Sequence, residues 1–200
     1  MRMFVAAVPP PAVVEDLEEF LAVRRAAGAF RWSLPDHWHV TLAFLAQVPD
    51  RAYDDLVERL ARAARKRHRM RATVTGGGAF PHVGRAKVLW AGVELDKAQL
   101  GGGQVDGGHV DGAEELRRLA TGCRAAATKA GIEVAGERFK PHITVARMGR
   151  PIEATAWVRL LDAYRGPEWT IDEIALLRSH LGEGPNKRPR YEVLETFPLG

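Results

Sequence analysis

Two short stretches of alternating apolar and polar residues share one pattern. Residues 39–45 and 142–148 each read as a strand, in which side chains two positions apart lie on the same face. Each stretch begins with His-x-Thr, at His39 and at His142, and each precedes a linker, a proline and a helical pattern. This duplication predicts two similar halves that bring two imidazoles to one cleft.

The rest of the hydrophobic pattern mixes strands and helices without a regular order. Apolar runs predict further strands at 3–8, 29–32, 71–80, 86–95, 169–178 and 191–197. Amphipathic patterns predict helices at 11–28, after Pro49, at 113–130 and at 151–164. Because the elements do not alternate as in a parallel sheet, we expect an α+β fold. In it, two pseudo-symmetric lobes with antiparallel sheets flank a central cleft, and the helices lie outside.

Composition predicts a single domain over residues 1–200, with the lobes interleaved, since 46% of its 200 residues are hydrophobic. Cys123 is the only cysteine, which excludes an internal disulfide framework and a cysteine-rich zinc site. The N-terminal apolar run is too short for a signal sequence, and no stretch approaches a membrane span. We therefore expect a cytoplasmic protein without membrane contact, and a monomer.

A glycine-rich segment at 101–112 is the one low-complexity stretch. It contains too little apolar surface to offset the entropy of ordering, so the sequence predicts a flexible surface loop between the halves. His109, within this segment, is not expected to take part in catalysis.

Arginine contributes more than lysine to the net charge of +4. A guanidinium can hold a phosphate through two hydrogen bonds, so this composition favours a nucleotide or nucleic-acid partner. The densest basic run lies on the helix predicted after Pro49, at Arg59, Arg62, Arg65, Lys66 and Arg67. We interpret this run as a solvated helix face rather than an RNA groove, because such faces are common.

Two imidazoles across a cleft suit in-line displacement at a phosphate. One can take a proton from the attacking water while the other gives a proton to the leaving oxygen, without a metal or other cofactor. Thr41 and Thr144 would donate hydroxyl groups to the non-bridging oxygens, and Arg147 would neutralise developing charge. A lone strand histidine is more often structural, but structural histidines have no reason to duplicate their surroundings. The repeat therefore favours catalysis.

Two other candidate sites are weaker. His37-x-His39 has the spacing of a metal-ligand pair, but no carboxylate or cysteine cluster completes a coordination shell, so we predict no metal site. The Gly76-Gly77-Gly78 run lacks the Gly-Lys-Ser/Thr sequence of a phosphate loop. It predicts a bulge or a close strand contact instead.

The repeated motifs are similar to those of a known family, the two-histidine phosphoesterases. Within it they resemble the bacterial RNA 2′,3′-cyclic phosphodiesterases, once described as 2′-5′ RNA ligases. The family motif His-x-Thr-x-x-Phe is met by His39, Thr41 and Phe44, and His-x-Thr-x-x-Arg is met by His142, Thr144 and Arg147. The resemblance covers nearly the whole chain, at 4–6, 38–45, 88–92, 139–147 and 191–199. The segment at 101–112 departs from the family pattern.

This resemblance implies hydrolysis of RNA 2′,3′-cyclic phosphate ends to 2′-phosphomonoesters. It implies that His39 is the general acid facing the ribose O3′ and that His142 is the general base activating water. It also implies that Arg147 grips the phosphate and that Phe44 stacks on the terminal base. The odd offset of Phe44 from His39 would place it on the opposite strand face unless the strand twists or ends there.

Two alternative functions remain open. The same site could act as a 2′-5′ RNA ligase by joining a 5′-hydroxyl to the cyclic phosphate, although abundant water favours hydrolysis. The chain could also be a non-catalytic RNA- or nucleotide-binding module, which needs arginine and hydroxyl donors but no paired acid and base. In each case the expected partner is RNA with a 2′,3′-cyclic phosphate end, or a related cyclic nucleotide.

Overall fold

A computed structural model of the protein describes residues 1–98, 110–135 and 139–200. The strands are β1 (Met3–Ala7), β2 (Arg31–Trp32), β3 (Val40–Leu45), β4 (Met70–Phe80), β5 (Ala86–Leu95), β6 (Lys97–Ala98), β7 (Val110–Asp111), β8 (His142–Ile152), β9 (Arg165–Ile171), β10 (Glu173–His180) and β11 (Arg190–Pro198). The helices are α1 (Pro11–Ala22), α2 (Tyr53–Ala64), α3 (Gly112–Lys129) and α4 (Thr155–Asp162). Most of the glycine-rich loop predicted at 101–112, including His109, lies outside the described residues.

Nine strands form one antiparallel sheet that curls into a half-barrel. Eight of them follow the order β11-β10-β1-β3-β8-β5-β4-β9, and β2 pairs with β8 beside this path. The path consists of two four-stranded halves, which meet where Val40 of β3 pairs with Ile143 of β8. The predicted lobes are thus halves of one continuous sheet, with the two histidine strands adjacent at its centre. The predicted α+β class is confirmed.

The apolar core fills the space between one face of this sheet and the helices. Along β1 the side chains alternate, so that Met3 and Val5 join the core under the helices. Phe4 and Ala6 belong to a separate small cluster on the opposite face. Each helix adds leucines to the core, such as the fully buried Leu56 of α2, and burying one such side chain contributes about 1.5–3 kcal/mol. The helices thereby occupy one face of the sheet, and the cleft lies on the other.

Helix α3 shows how the local sequence sets an element's limits. The Asp111 side chain accepts a hydrogen bond of 2.9 Å from the backbone N–H of Ala113, which caps the helix. After the helix, Gly131 adopts a left-handed conformation with φ of 75°, the usual place for glycine after a C-terminus. The predicted helix at 113–130 is therefore confirmed to within one residue at each end.

Three predicted boundaries are wrong. The helix predicted at 11–28 ends at Ala22, and a separate 3-10 turn follows at Arg25–Ala27. The strand predicted at 169–178 is broken at Asp172 into β9, which pairs with β4, and β10, which pairs with β1 in the other half. The helix predicted from Pro151 begins only at Thr155, because β8 continues to Ile152. Pro151 has no partner in the β5–β8 register, so its missing N–H removes no ladder hydrogen bond.

The glycine run of β4 permits the close contact that the sequence predicts. The β4–β5 register shifts between Val74 and Gly77, and Gly76 has a φ of 73°, which favours glycine. A Cβ on Gly78 would lie 2.0 Å from the Trp90 ring. Gly78 therefore lets Trp90 pack across β4, with its ring centroid 5.8 Å from that of His142.

Candidate active site

The pairing of β3 with β8 brings the two predicted motifs together. Val40 and Ile143 are paired and completely buried on the helix side. The flanking side chains point to the opposite face, because neighbours along a strand alternate. His39 and Thr41 from one strand therefore line the same cleft as His142 and Thr144 from the other.

Matching β-bulges explain the spacing of both motifs. The β1–β3 ladder skips Leu42, and the β5–β8 ladder skips Val145. One extra residue reverses the alternation of side chains. Phe44 and Arg147 therefore return to the face of the threonine that precedes each of them. The strand offset that seemed to place Phe44 on the wrong face is resolved by the bulge.

The cleft is a positively charged cavity of about 290 Å³. Arg31 and Arg147 lie directly opposite each other on β2 and β8, and Arg188 enters from the segment before β11. Like charges in cross-strand register are destabilising unless an anion lies between them. No aspartate or glutamate is among the described lining residues. The arrangement is suited to a phosphate.

His142 is held in one orientation by its own strand. Its Nδ1 lies 2.7 Å from the backbone carbonyl oxygen of Lys140. Because a carbonyl can only accept, Nδ1 carries the proton, which leaves Nε2 as an acceptor in the neutral ring. Burial lowers the pKa of His142, and the charges of Lys140 and Arg147 act in the same direction, while the carbonyl hydrogen bond opposes them.

His39 has an equivalent anchor and is more deeply buried than His142. Its ring donates to the backbone carbonyl of His37, again two residues earlier. The ring stacks on Phe4 at a centroid distance of 4.6 Å and meets the edge of Tyr191 at 5.6 Å. Burial lowers the pKa of His39 to about 4, a shift that the carbonyl hydrogen bond offsets only in part. Positive charge on His142 lowers this pKa further, so the two imidazoles disfavour each other's protonation.

Five of the six predicted site residues line the cavity, and the exception is Phe44. The five are His39, Thr41, His142, Thr144 and Arg147. Phe44 lies on the cleft face of β3 but packs against the small cluster that contains Phe4. The guanidinium of Arg2 lies over its ring, 4.5 Å from the centroid.

The sequence did not identify the residues that complete the cavity from other segments. Tyr191 contacts the rings of both His37 and His39, with the His37 ring 4.6 Å away. The resemblance over 191–199 is the one signal that could have found it. The unassigned lining residues are Arg31, Trp32, Ser33, His37, Arg188, Pro189 and Tyr191.

Neither a metal-binding cluster nor a membrane-spanning helix occurs in the described parts of the chain. No group of three or more His, Cys, Asp or Glu side chains there is placed to hold a metal ion. His37 and His39, considered above as a possible ligand pair, instead contact Tyr191. None of the described helices is long and apolar enough to cross a bilayer.

Fold and site together define a class: an antiparallel α+β protein whose two His-x-Thr strands line one cationic cleft. The sequence profile of the family described as the 2′-5′ RNA ligase superfamily matches residues 9–183, and this chain belongs to that family. The resemblance inferred from the sequence is thereby confirmed.

Relatives and solved structures match nearly the full length of the chain. An RNA 2′,3′-cyclic phosphodiesterase from Thermus thermophilus is 32% identical over 100% of this chain and 90% of its own length. One from Aquifex aeolicus is 31% identical over 85% of this chain and 82% of its own. The crystal structure of TT0787 of Thermus thermophilus matches with a TM-score of 0.72 and 32% identity, covering 100% of this chain and 98% of that one. E. coli LigT complexed with 3′-AMP shares the fold, with a TM-score of 0.71 and 23% identity over 99% of this chain and 97% of that one.

Proposed function

We propose that the cleft hydrolyses RNA 2′,3′-cyclic phosphate ends to 2′-phosphomonoesters by two-histidine acid–base catalysis. One observation carries this proposal: His39 and His142, each held by a carbonyl two residues earlier, face one cationic cavity. The enzyme class predicted from the sequence agrees with the names of the relatives. The chain is an RNA 2′,3′-cyclic phosphodiesterase, as the sequence predicts, since relatives of that name match between 79% and 100% of it.

In the proposed reaction, Nε2 of His142 takes a proton from a water molecule as the water oxygen attacks phosphorus. The bond between phosphorus and O3′ breaks, and His39 gives its proton to O3′. The products are a 2′-phosphomonoester and a 3′-hydroxyl. The assignment of acid to His39 and base to His142 rests on the family resemblance, because the two carbonyl anchors are equivalent.

Substrate binding favours the uptake from solvent of the proton that the acid needs. With a pKa of about 4, His39 is neutral at pH 7 in the free protein. A nearby negative charge favours the charged form of an imidazole. A cyclic phosphate monoanion in the cavity therefore raises the pKa of His39 and makes it a competent acid only when substrate is present.

The remaining roles follow from position in the cleft. Thr41 and Thr144 flank the two imidazoles and donate their hydroxyl groups to the non-bridging phosphate oxygens. Arg147 has no ion pair with an acidic side chain of the described residues, so its fork is available to the phosphate. Phe44 stacks on the terminal base, where the base competes with Arg2 for the ring.

Ligation is a second candidate because the family description names it. In the same cleft a 5′-hydroxyl would take the place of water and form a 2′-5′ bond. Hydrolysis is the expected net reaction, since water is far more concentrated than RNA 5′ ends. The sequence-based predictions of a cytoplasmic location and a monomeric state remain predictions.

The test is to incubate the protein and a chelator with a short RNA that ends in a 2′,3′-cyclic phosphate, and to identify the end formed. We expect a 2′-phosphate with the chelator present. A 3′-phosphate, or an absolute need for added divalent metal, would contradict the proposal. A second RNA with a 5′-hydroxyl, added in excess, reveals ligation as a longer product with a 2′-5′ bond.

A further inference from the structure

A second cavity of about 290 Å³ lies between α2 and α3, on the helical side of the molecule. It is separate from the catalytic cleft, which occupies the opposite face of the sheet. Six of its lining residues are cations and none of the described ones is acidic; the cations are Arg59, Arg62, Lys66, Arg67, Arg118 and Lys129.

Acidic neighbours hold several of these cations in place without closing the groove. Asp55 accepts from Nε of Arg59 at 2.8 Å, and Glu114 accepts from Nε of Arg118 at 2.9 Å. These bonds do not use the terminal guanidinium nitrogens, which are the atoms that bind a phosphate in pairs. The acidic partners do not line the cavity. Arg59 and Arg118 are therefore pre-oriented with both terminal nitrogens still able to bind an anion. Arg62 and Arg67 each use one terminal nitrogen in a longer ion pair, with Glu58 at 3.3 Å and with Glu115 at 3.4 Å.

Lys66, in the turn after α2, and Lys129, the last residue of α3, complete the cationic rim. Both are exposed, and neither forms an ion pair with an acidic side chain of the described residues. The floor between them consists of small residues, and a Cβ on Gly122 would lie 3.5 Å from the Cβ of Ala63. Because the floor is small and the walls are charged, the groove can admit a chain of phosphates.

We propose that this groove is a second, non-catalytic site that binds the phosphodiester backbone of RNA. The choice of RNA rests on the proposed function, which brings RNA to this protein. Chemistry supports it as well, since phosphate contacts by lysine and arginine supply sequence-independent affinity for nucleic acids. On this proposal the basic run of α2 is more than a solvated face.

A membrane surface or a protein partner fits the groove less well. Both would require apolar or aromatic anchors beside the charges. The large exposed hydrophobic side chains of the described residues all lie outside α2 and α3; they are Val8, Val23, Val83, Leu181 and Val193.

The experiment measures binding of a labelled 20-nucleotide single-stranded RNA by fluorescence anisotropy at several salt concentrations. The RNA ends in a 3′-hydroxyl, so it is not a substrate for the cleft. We compare the wild type with the double variant Lys66→Gln/Lys129→Gln. Each phosphate contact to single strands contributes about 0.7 to the slope of log affinity against log salt. Losing two contacts should weaken binding and make the slope shallower by about 1.4.

The matched control is Arg71→Gln/Arg165→Gln, which removes the same charge from exposed positions on β4 and β9, where the arginines pair with Glu168 and Glu94. This control should bind RNA nearly as the wild type does, and circular dichroism should show both variants folded. Equal weakening by the two variants, or an unchanged slope for Lys66→Gln/Lys129→Gln, would overturn the proposal. The proposal would also be overturned if Lys66→Gln/Lys129→Gln lost binding to anionic lipid vesicles but still bound RNA as the wild type does.

The result is independent of the catalytic proposal. Hydrolysis of a dinucleotide with a 2′,3′-cyclic phosphate should be equally fast in the wild type and in Lys66→Gln/Lys129→Gln, because a dinucleotide is too short to reach the groove. If the wild type fails to hydrolyse it, the proposed function fails while the RNA-binding measurement still decides the groove.

Discussion

The two halves of the sheet build the same scaffold around different neighbours. In each half a histidine lies at the beginning of the strand, His39 just before β3 and His142 as the first residue of β8, and bonds to a carbonyl two residues earlier. A threonine and a bulge follow in both strands. After the bulge one half presents Phe44 and the other presents Arg147. Both imidazoles contact aromatic rings, but His39 stacks on Phe4, whereas His142 meets Phe80 edge to face and lies beside the charges of Lys140 and Arg147.

The repeat determines where the two imidazoles lie but leaves their catalytic roles open. The shared backbone gives two equivalent imidazoles at one phosphate site. Their roles must therefore come from the residues around them, because the anchors are alike. Substitutions at matching positions of the two halves test first their equivalence and then the differences between them.

The largest effect should come from removing either imidazole. His39→Ala and His142→Ala should each lower turnover of a cyclic phosphate end by about 10²–10⁴-fold, since that is the usual contribution of a positioned acid or base. His82→Ala, in an exposed turn outside the cleft, is the control and should keep full activity. A variant that remains folded by circular dichroism and retains near-normal turnover would remove that histidine from the mechanism.

Arg147→Lys should have the next largest effect. Lysine keeps the charge but loses the planar fork. A hydrogen bond to a charged group contributes roughly 1.5–3 kcal/mol, so we expect kcat/KM to fall by about 10- to 100-fold. Arg150→Lys, at an exposed position further along β8, should change little. Similar kinetics for the two variants would mean that Arg147 supplies only charge.

Phe44→Leu tests the residue that occupies, in the half with β3, the position that Arg147 occupies in the half with β8. Leucine keeps apolar bulk beside Phe4 but cannot stack on a base. Because stacking contributes roughly 1–3 kcal/mol per base, KM for RNA ends should rise by about 5- to 100-fold. A cyclic phosphate analogue without a base should be hydrolysed at the wild-type rate. Equal losses on both substrates would show that Phe44 acts in packing only.

The smallest effect concerns pH and depends on the unequal environments of the histidines. Loss of the acid's proton lowers the rate as pH rises, and protonation of the base lowers it as pH falls. Both imidazole pKa values lie below 6.5 in the free protein, with that of His39 at about 4. The coupled pair should therefore give kcat/KM a maximum below pH 6.5.

The kcat profile should peak at a higher pH than kcat/KM, because a bound phosphate raises both pKa values. Initial rates at low and saturating substrate between pH 4 and 9 give the two profiles. Coincident maxima, or a kcat/KM maximum above pH 7, would contradict this account of the free cleft.

The central strands were predictable from the sequence because their signals are local. Alternation, the His-x-Thr repeat and the flanking prolines all fall within a few residues of His39 and His142. The break at Asp172 was missed because apolar residues continue on both sides of one turn residue. Nothing in that run indicates that β9 and β10 belong to opposite halves of the sheet.

The sequence pattern also could not predict which residues reach the cleft from distant segments. Arg31 is placed by its pairing with β8, Arg188 by the approach of the segment before β11, and Tyr191 by β11 itself. Such contacts depend on long-range strand pairing and have no periodic signature. The bulges at Leu42 and Val145 likewise appear only when neighbouring strands are compared.

The carbonyl anchors have a consequence for the catalytic cycle. A ring nitrogen that donates a hydrogen bond to a main-chain oxygen cannot exchange its proton without breaking that hydrogen bond. Each imidazole therefore gains or loses a proton at the nitrogen that faces the cavity. In the proposed reaction His142 gains a proton and His39 loses one. The protein that releases product is therefore a protonation isomer of the protein that bound substrate. Water or buffer entering the emptied cleft has to reverse this difference before the next RNA end can react.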